Sequence, residues 1–463
     1  MKLFLAIGAF ALLAGCARFQ PRPLSPSASA AGLENRSLQD PVFRAFLEKH
    51  LQREFTNWPA STWDFEMLTL AAYYFHPSLD VARAQWAVAK GGQITAGQRP
   101  NPVLTVTPGY DVTTLVPSPW IPLSFLDIPL ETAGKRGYRI AEATQLSEAA
   151  RLNLAAVAWQ TRGNVRVSVL DFLAASQREK RLEAQVNLQE QIVGLLEQQI
   201  KAGAIAGSEA LSFRIALIKA RLDLADARRQ EIEARTRIAE AVGIPVHALD
   251  GITIDFDLGR RPDSANELTS TEARRVALES RSDILAGLAQ YAAAEGDLRL
   301  QIARQYPDVH LQPGYQFDQG DSKWTLGLVV ELPILSHNQG LIAEAEARRE
   351  EAAARFNALQ AKVLADIERA VELFRTDVTN YSALHALVEA QGKRRDAIEA
   401  QLKAGSAERL DLLNVQFEYA AAELAEFDSQ IKLQQAIGAL EDTLQRPMPT
   451  AFPIYQSERP HAP

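Results

Sequence analysis

The stretch Val309-His310-Leu311-Gln312-Pro313-Gly314-Tyr315-Gln316-Phe317-Asp318 decides how the chain is read. Val309, Leu311, Tyr315 and Phe317 fall on one side, and His310, Gln312, Gln316 and Asp318 on the other. This is the period-two alternation of a strand with one apolar and one polar face. After a turn at 318–323, Trp324, Leu326, Leu328, Val330 and Leu332 line one face of a second segment, opposite Thr325, Gly327 and Glu331. Two alternating segments joined by a turn form an amphipathic β-hairpin, with strands expected at 307–317 and 323–333.

The same hairpin occurs earlier. Pro102, Leu104, Val106, Pro108, Gly109 and Tyr110 match Pro307, Val309, Leu311, Pro313, Gly314 and Tyr315, each 205 positions on. Trp120, Asp127 and Pro129 match Trp324, Glu331 and Pro333 at 204. Strands are therefore expected at 102–112 and 119–129 as well. Of 23 prolines, none falls between Pro129 and Pro245 or between Pro333 and Pro447. Each gap holds one punctuation mark, Lys201-Ala202-Gly203 and Lys403-Ala404-Gly405, 202 apart. Landmarks in one register mean an internal repeat of about 200 residues.

Outside the strands the pattern is helical. A helix of about twenty residues precedes each hairpin (78–98 and 282–305). Residues 138–202 and 341–404 are rich in Ala, Glu, Gln, Leu and Arg, the strong helix formers. Gly203 and Gly405 stand where a helix C-cap glycine belongs, at the tips of two helical hairpins. Return helices follow at 208–243 and 407–445, closed by Pro245 and Pro447. The chain divides accordingly into a signal segment 1–15, a tether 16–32, a first repeat 33–258 with helical hairpin 138–243, a second repeat 259–450 with helical hairpin 341–445, and a tail 451–463.

Composition agrees with long helices at close range. Apolar residues make up 47% of the 463, yet aromatics only 7%. The net charge of −8 leaves no electrostatic footprint for nucleic acid. A single cysteine excludes an internal disulfide framework or a multi-thiolate metal site. The seven histidines show no i, i+4 pair, and neither a phosphate loop nor a nucleophile elbow is present, so neither catalysis nor a cofactor is expected.

Strands of about ten residues, apolar on one side and polar on the other, fit a membrane barrel wall. Four of them cannot close a sheet, so closure would come from oligomerisation. Three copies would give twelve strands and six helical hairpins, and composition does not fix that number. At the N-terminus, Lys2 and the apolar run Leu3 to Ala14 read as a removable signal, since twelve helical residues span about 18 Å against a bilayer core of ~30 Å. It closes on Leu13-Ala14-Gly15-Cys16, which resembles the bacterial lipoprotein signal and implies lipidation of Cys16. Ala17 follows in place of the aspartate of inner-membrane retention. Residues 18–32, rich in Pro, Ser and Ala, read as a flexible tether.

Over residues 60–450 the chain resembles the TolC-like outer-membrane factors, and its lipoprotein signal resembles the branch serving resistance–nodulation–division pumps. The resemblance implies an α+β membrane protein. Four β-strands per protomer would contribute to a trimeric twelve-stranded outer-membrane barrel, continued by a long α-helical periplasmic tunnel. It further implies an equatorial region built from 33–63, 246–270 and the segment after Pro447. It implies a homotrimer in outer-membrane lipid, a periplasmic adaptor docked at the tips, and an inner-membrane pump. The function implied is passive conduction of drugs or metal ions to the exterior. A type I protein secretion duct, a non-channel coiled-coil scaffold and a surface lipoprotein enzyme stand as alternatives.

Asp411, six residues after Gly405, matches a position lining the family's closed gate, and Glu209 has the same spacing from Gly203. Repeated by threefold symmetry they would form an acidic ring; the alternative is ordinary solvated charges on a return helix. Asn414, Leu402 and Ala407 stand where some relatives carry further gate residues. Asp127 and Glu331, on the polar strand face beside Pro129 and Pro333, are candidates for the lumen or for plain solubilising charges. Trp120 and Trp324 fit interfacial aromatics at the barrel rim.

Overall fold

The computed structural model describes residues 19–112, 117–259 and 271–445. The signal segment, Cys16 and the tail 451–463 lie outside the described residues. The chain begins with helices α1 (Pro26–Glu34) and α2 (Pro41–Leu51), the short strand β1 (Thr62–Asp64) and helix α3 (Phe65–Phe75). Then one series of elements runs twice. Its first pass is helix α4 (Pro77–Gly97), strands β2 (Val103–Thr107) and β3 (Leu123–Leu130), and helices α5 (Lys135–Lys201) and α6 (Leu211–Val242). A 3-10 turn (Val246–Leu249), strand β4 (Thr253–Asp255) and helix α7 (Thr271–Ser280) connect the two passes. The second pass is α8 (Ser282–Ala303), β5 (Val309–Asp318), β6 (Asp321–Val330), α9 (Gln339–Lys403) and α10 (Arg409–Leu444).

The 67 residues of α5 and 65 of α9 each extend about 100 Å at 1.5 Å per residue. Both end identically. Gly203 and Gly405 take φ of 74° and 75°, a left-handed conformation that suits glycine. The next residue closes the cap: Ala204 N donates to Gln199 O and Ser406 N to Gln401 O, both at 2.9 Å. In each half the return helix packs back along the long helix, and α10 also packs along α5, joining the halves.

Each half has its own core at the upper end of its hairpin. In the first, Phe43, Leu47, Trp63, Met67, Leu68 and Phe75 pack on Val165, Val169, Ile238 and Val242. In the second, Ile284 packs with Val363, Ile367, Val371, Leu433, Ile437 and Leu440. Beside the first core, β1 pairs in parallel with β4, so the equatorial segments contribute a small sheet that alternation patterns did not predict. Three-residue strands are too short for period-two alternation to register.

Two further details differ from the expectations. The tether contains a helix, α1, started by Ser25 as N-cap and Pro26 in the first turn, with every residue exposed. The first hairpin is shorter than 102–112 and 119–129. Pro108, Pro119 and Pro122 cannot donate to a ladder, so pairing stops after Thr107 and resumes only as a bridge between Tyr110 and Trp120. The second hairpin is uninterrupted to a tight turn at Gln319-Gly320, and β6 ends at Val330, short of Glu331.

Candidate functional site

The four long strands form one antiparallel sheet in the order β2-β3-β5-β6. Leu104 opposite Leu126, Ile128 opposite Leu311, Leu130 opposite Val309, Tyr315 opposite Trp324 and Leu311 opposite Leu328 place these side chains on one face. That face is open: Leu104, Leu326 and Leu328 are 67 to 69% exposed and Trp324 80%. An apolar face this bare is stable against lipid or another apolar surface, and unstable against water. Near the hairpin ends, Tyr110 meets Trp120 and Tyr315 meets Trp324, with ring centroids 5.0 and 4.9 Å apart. The repeat therefore places two aromatic pairs at matched heights.

The opposite face carries Thr105, Thr107, Asp127, His310, Gln312, Gln316, Asp318, Lys323 and Thr325, with Val103, Leu123, Phe125 and Val329 interspersed. Asp127 is not a lone charge here. The His310 ring Nδ1 lies 3.0 Å from each of its carboxylate oxygens, bridging β3 and β5. Lys323 and Asp318 pair at 2.5 Å nearer the turn. Glu331 is exposed just past the end of β6. Sequence reasoning singled out Asp127 without its partner, because His310 is 183 residues away and only the β3–β5 register joins them.

The strands are anchored to the helices by polar contacts at the foot of the sheet. The Thr132 amide and hydroxyl donate to Asp308 Oδ1 at 2.9 Å and Pro307 O at 2.6 Å. Buried Lys135, at the start of α5, donates to the same Asp308 oxygen at 2.8 Å. Arg139 forks onto Glu131, and Arg136 donates to the last carbonyl of α4 at Gly97. Sheet and hairpins therefore meet through fixed bonds on both sides of the junction.

At the other end stand the tip carboxylates, both exposed. Asp411 is the third residue of α10. Its Oδ2 accepts from Glu408 N at 3.0 Å, and the Glu408 side chain reciprocates, completing a capping box. Glu209 lies ahead of α6 in a turn, yet its Oε1 accepts from Ala206 N at 3.2 Å. Ala206 and Glu408 are 202 apart, so both carboxylates do the same local work. Gly207-Ser208 delays the first return helix to Leu211, whereas the second starts at Arg409. Among the described residues, no His/Cys/Asp/Glu group has the makings of a metal centre, and no helix is long and apolar enough to cross a membrane.

A sheet bare on its apolar face and open at both edges, rooted in helical hairpins about 100 Å long, defines part of a channel wall with a helical extension. Residues 118–244 and 273–444, more than half of the chain, match the outer membrane efflux protein family, and the chain belongs to that family. It is 27% identical over 267 residues to the cobalt-zinc-cadmium resistance protein CzcC of Cupriavidus metallidurans, covering 57% of this chain and 61% of that one. It is 25% identical over 323 residues to the pyoverdine export outer membrane protein OpmQ of Pseudomonas aeruginosa, covering 66% and 67%. Its fold is similar to that of the outer membrane protein VceC from Vibrio cholerae, with TM-score 0.65, 19% identity, and coverage of 82% and 95%. Members of the family are outer-membrane channels with a periplasmic tunnel; they form trimers and work with adaptors and inner-membrane pumps.

Proposed function

We propose that three copies of this chain form the exit duct of a tripartite efflux system, conducting small solutes or metal ions passively from a periplasmic adaptor and pump to the exterior. The observation that carries the reading is the sheet. Its outer strands β2 and β6 have unpaired edges, and its apolar face is exposed beside a polar one. Open edges in lipid leave backbone groups unsatisfied, so a copy's β6 must pair with the next copy's β2. The duct carries out no chemistry; energy comes from the pump. The names of the relatives, a metal-resistance protein and a siderophore exporter, favour small cargo over protein secretion. The lipoprotein signal supports anchoring through Cys16 and a pump of the resistance–nodulation–division type.

In the assembled duct, Asp127–His310 pairs and Glu331 face the lumen near the foot of the barrel, and Asp411 and Glu209 ring the periplasmic entrance. Ringed carboxylates attract cations and repel anions. The test is conductance of the purified protein in planar bilayers under a salt gradient. A cation-selective pore is expected, with selectivity reduced in the Asp411→Ala/Glu209→Ala double variant. A protein that inserts no pore contradicts the duct, and an unchanged reversal potential in the double variant removes the tip carboxylates from the selectivity ring.

A further inference from the structure

Where α10 crosses α5, four charged side chains meet, three of them away from solvent and the fourth, Asp442, 32% exposed. Glu441 Oε2 accepts from Arg162 Nη2 at 2.7 Å and from Arg166 Nη1 at 2.6 Å, and all three side chains are at most 8% exposed. Asp442 receives only a long contact of 3.4 Å from Arg162 Nη1. The helices approach unusually closely here. A Cβ at Gly163 would run into Asp442 Oδ2, and one at Gly438 would lie 2.7 Å from Arg166 Cδ and Nε. Phe65 covers both guanidinium groups, and Trp159 and Phe256 cover one each. The Nε atoms of both arginines are buried without a hydrogen-bond acceptor, so the cluster is incompletely satisfied.

The cluster also has leverage. Arg162 precedes the end of α5 at Lys201 by about 58 Å of helix. A tilt of about 5° at that crossing moves the tips about 5 Å apart, by helix length alone. Among the described residues, the crossing is also where the two halves share ion pairs with both partners buried; the Lys135–Asp308 pair at the foot of the sheet buries only its lysine. At positions 202 further on or back, Leu364, Glu368, Ala239 and Glu240 replace Arg162, Arg166, Glu441 and Asp442.

We propose that Asp442 is the proton-responsive pin of a clasp, Arg162–Arg166–Glu441–Asp442, that sets the angle between the two helical hairpins. Protonated, it holds α10 flush on α5; ionised, it favours a parted crossing that frees the carboxylate oxygen now pressed against α5 at Gly163. The groups facing it are Arg162 and Arg166 of α5, Glu441 of its own helix and Tyr73 of α3. Burial, the largest influence, and the Glu441 charge push Asp442 up to about 6, against the pull of the two arginines. Tyr73, raised by burial to about 12, stays neutral throughout. A carboxyl that binds its proton more tightly when buried favours the closed crossing below pH 6 and loses that preference above it.

The test reads the crossing itself and does not depend on conduction. Leu196 of α5 and Leu413 of α10 pack together near the tips, whereas Val193 and Leu217 pack within the first hairpin. Oxidative cross-linking is followed in full-length protein in outer-membrane vesicles for Leu196→Cys/Leu413→Cys and, as reference, Val193→Cys/Leu217→Cys. The ratio of the two rates cancels the pH dependence of thiol chemistry. It should fall about tenfold between pH 5 and pH 7.5, since one pKa unit corresponds to a factor of ten. With Asp442→Asn the ratio should stay at its acid value, and with Asp442→Glu it should fall again. A ratio independent of pH in the unsubstituted clasp overturns the proposal even if Asp442→Asn fails to fold, as does a pH response that survives Asp442→Asn.

Discussion

The two return helices share an apolar stripe over their first turns and bury it differently. On α10, Leu413, Phe427 and Ile431 are 2 to 5% exposed against α5, with Phe417 and Leu424 packed beside them. Counting back 202 residues gives Leu211, Ile215, Leu222, Ala225 and Arg229 on α6. There, Leu211, Ile215, Ile218 and Leu222 are 56 to 65% exposed. Their spacing of four, three and four residues is the seam of a coiled coil. The second hairpin's seam has found a long helix, α5, within its own chain. The first hairpin's seam has none, and the repeat says what it needs: a helix equivalent to α5, which in the proposed trimer would be α9 of another copy. In the ring proposed above, half of the helical junctions would lie inside a protomer and half between protomers.

Charging the seam should separate these two kinds of junction most strongly. Ile218→Asp/Leu222→Asp on α6 should abolish the trimer while leaving a folded protomer. Leu424→Asp, the twin of Leu222→Asp, should instead destabilise the protomer by about 2–4 kcal/mol, the scale for burying an unpaired charge. Blue-native gels and denaturant melts distinguish the outcomes. Equal behaviour of the twins would break the comparison.

The clasp comes next in size. Arg162→Ala strands Glu441 with one partner in a buried site and should cost about 3–5 kcal/mol, whereas Leu364→Ala at the twin position should cost under about 1.5 kcal/mol before assembly. Thermal unfolding against pH extends the test. Because the folded protein holds the Asp442 proton up to about pH 6, stability should decline as pH rises from about 4 to 6, and the penalty should persist above that window. Asp442→Asn should then be more stable than the parent at pH 7.5 by about 1–2 kcal/mol, a figure reduced because the side chain is partly open to solvent. It should show no advantage at pH 4.

The smallest effects belong to the tips. Asp411→Ala removes half of a capping box and should loosen the start of α10 by about 1 kcal/mol. Glu209→Ala, which lacks a reciprocal bond, should cost less. Hydrogen exchange at Glu408 and Ala206, the amides these carboxylates accept from, checks both directly.

What was legible in the sequence was whatever repeats locally. The alternation from Val309 to Asp318, the proline-free helical runs and the glycines after Lys201 and Lys403 each depend on neighbouring residues. They located the long helices to within about three residues and the second hairpin nearly as well. The first hairpin read too long because alternation counts side chains, while a ladder needs amide donors that Pro108, Pro119 and Pro122 lack. The polar contacts were illegible for another reason. Asp127 meets His310 and Arg162 meets Glu441 only after the two halves fold together. In one dimension these residues look like solvated charges. Asp411 was singled out by resemblance and Glu209 by the same spacing from its glycine, but their capping bonds are visible only with the tip geometry in hand.

The most direct test of the account is whether α6 of one copy lies against α9 of the next. Leu413 packs with Leu196 inside the protomer, so their twins Leu211 and Ile398 should meet between copies. Leu211→Cys/Ile398→Cys, oxidised in intact outer membranes, should give covalent dimers and then trimers on non-reducing gels, with nothing larger. Monomers alone, or a ladder running past the trimer, would contradict a closed ring of three.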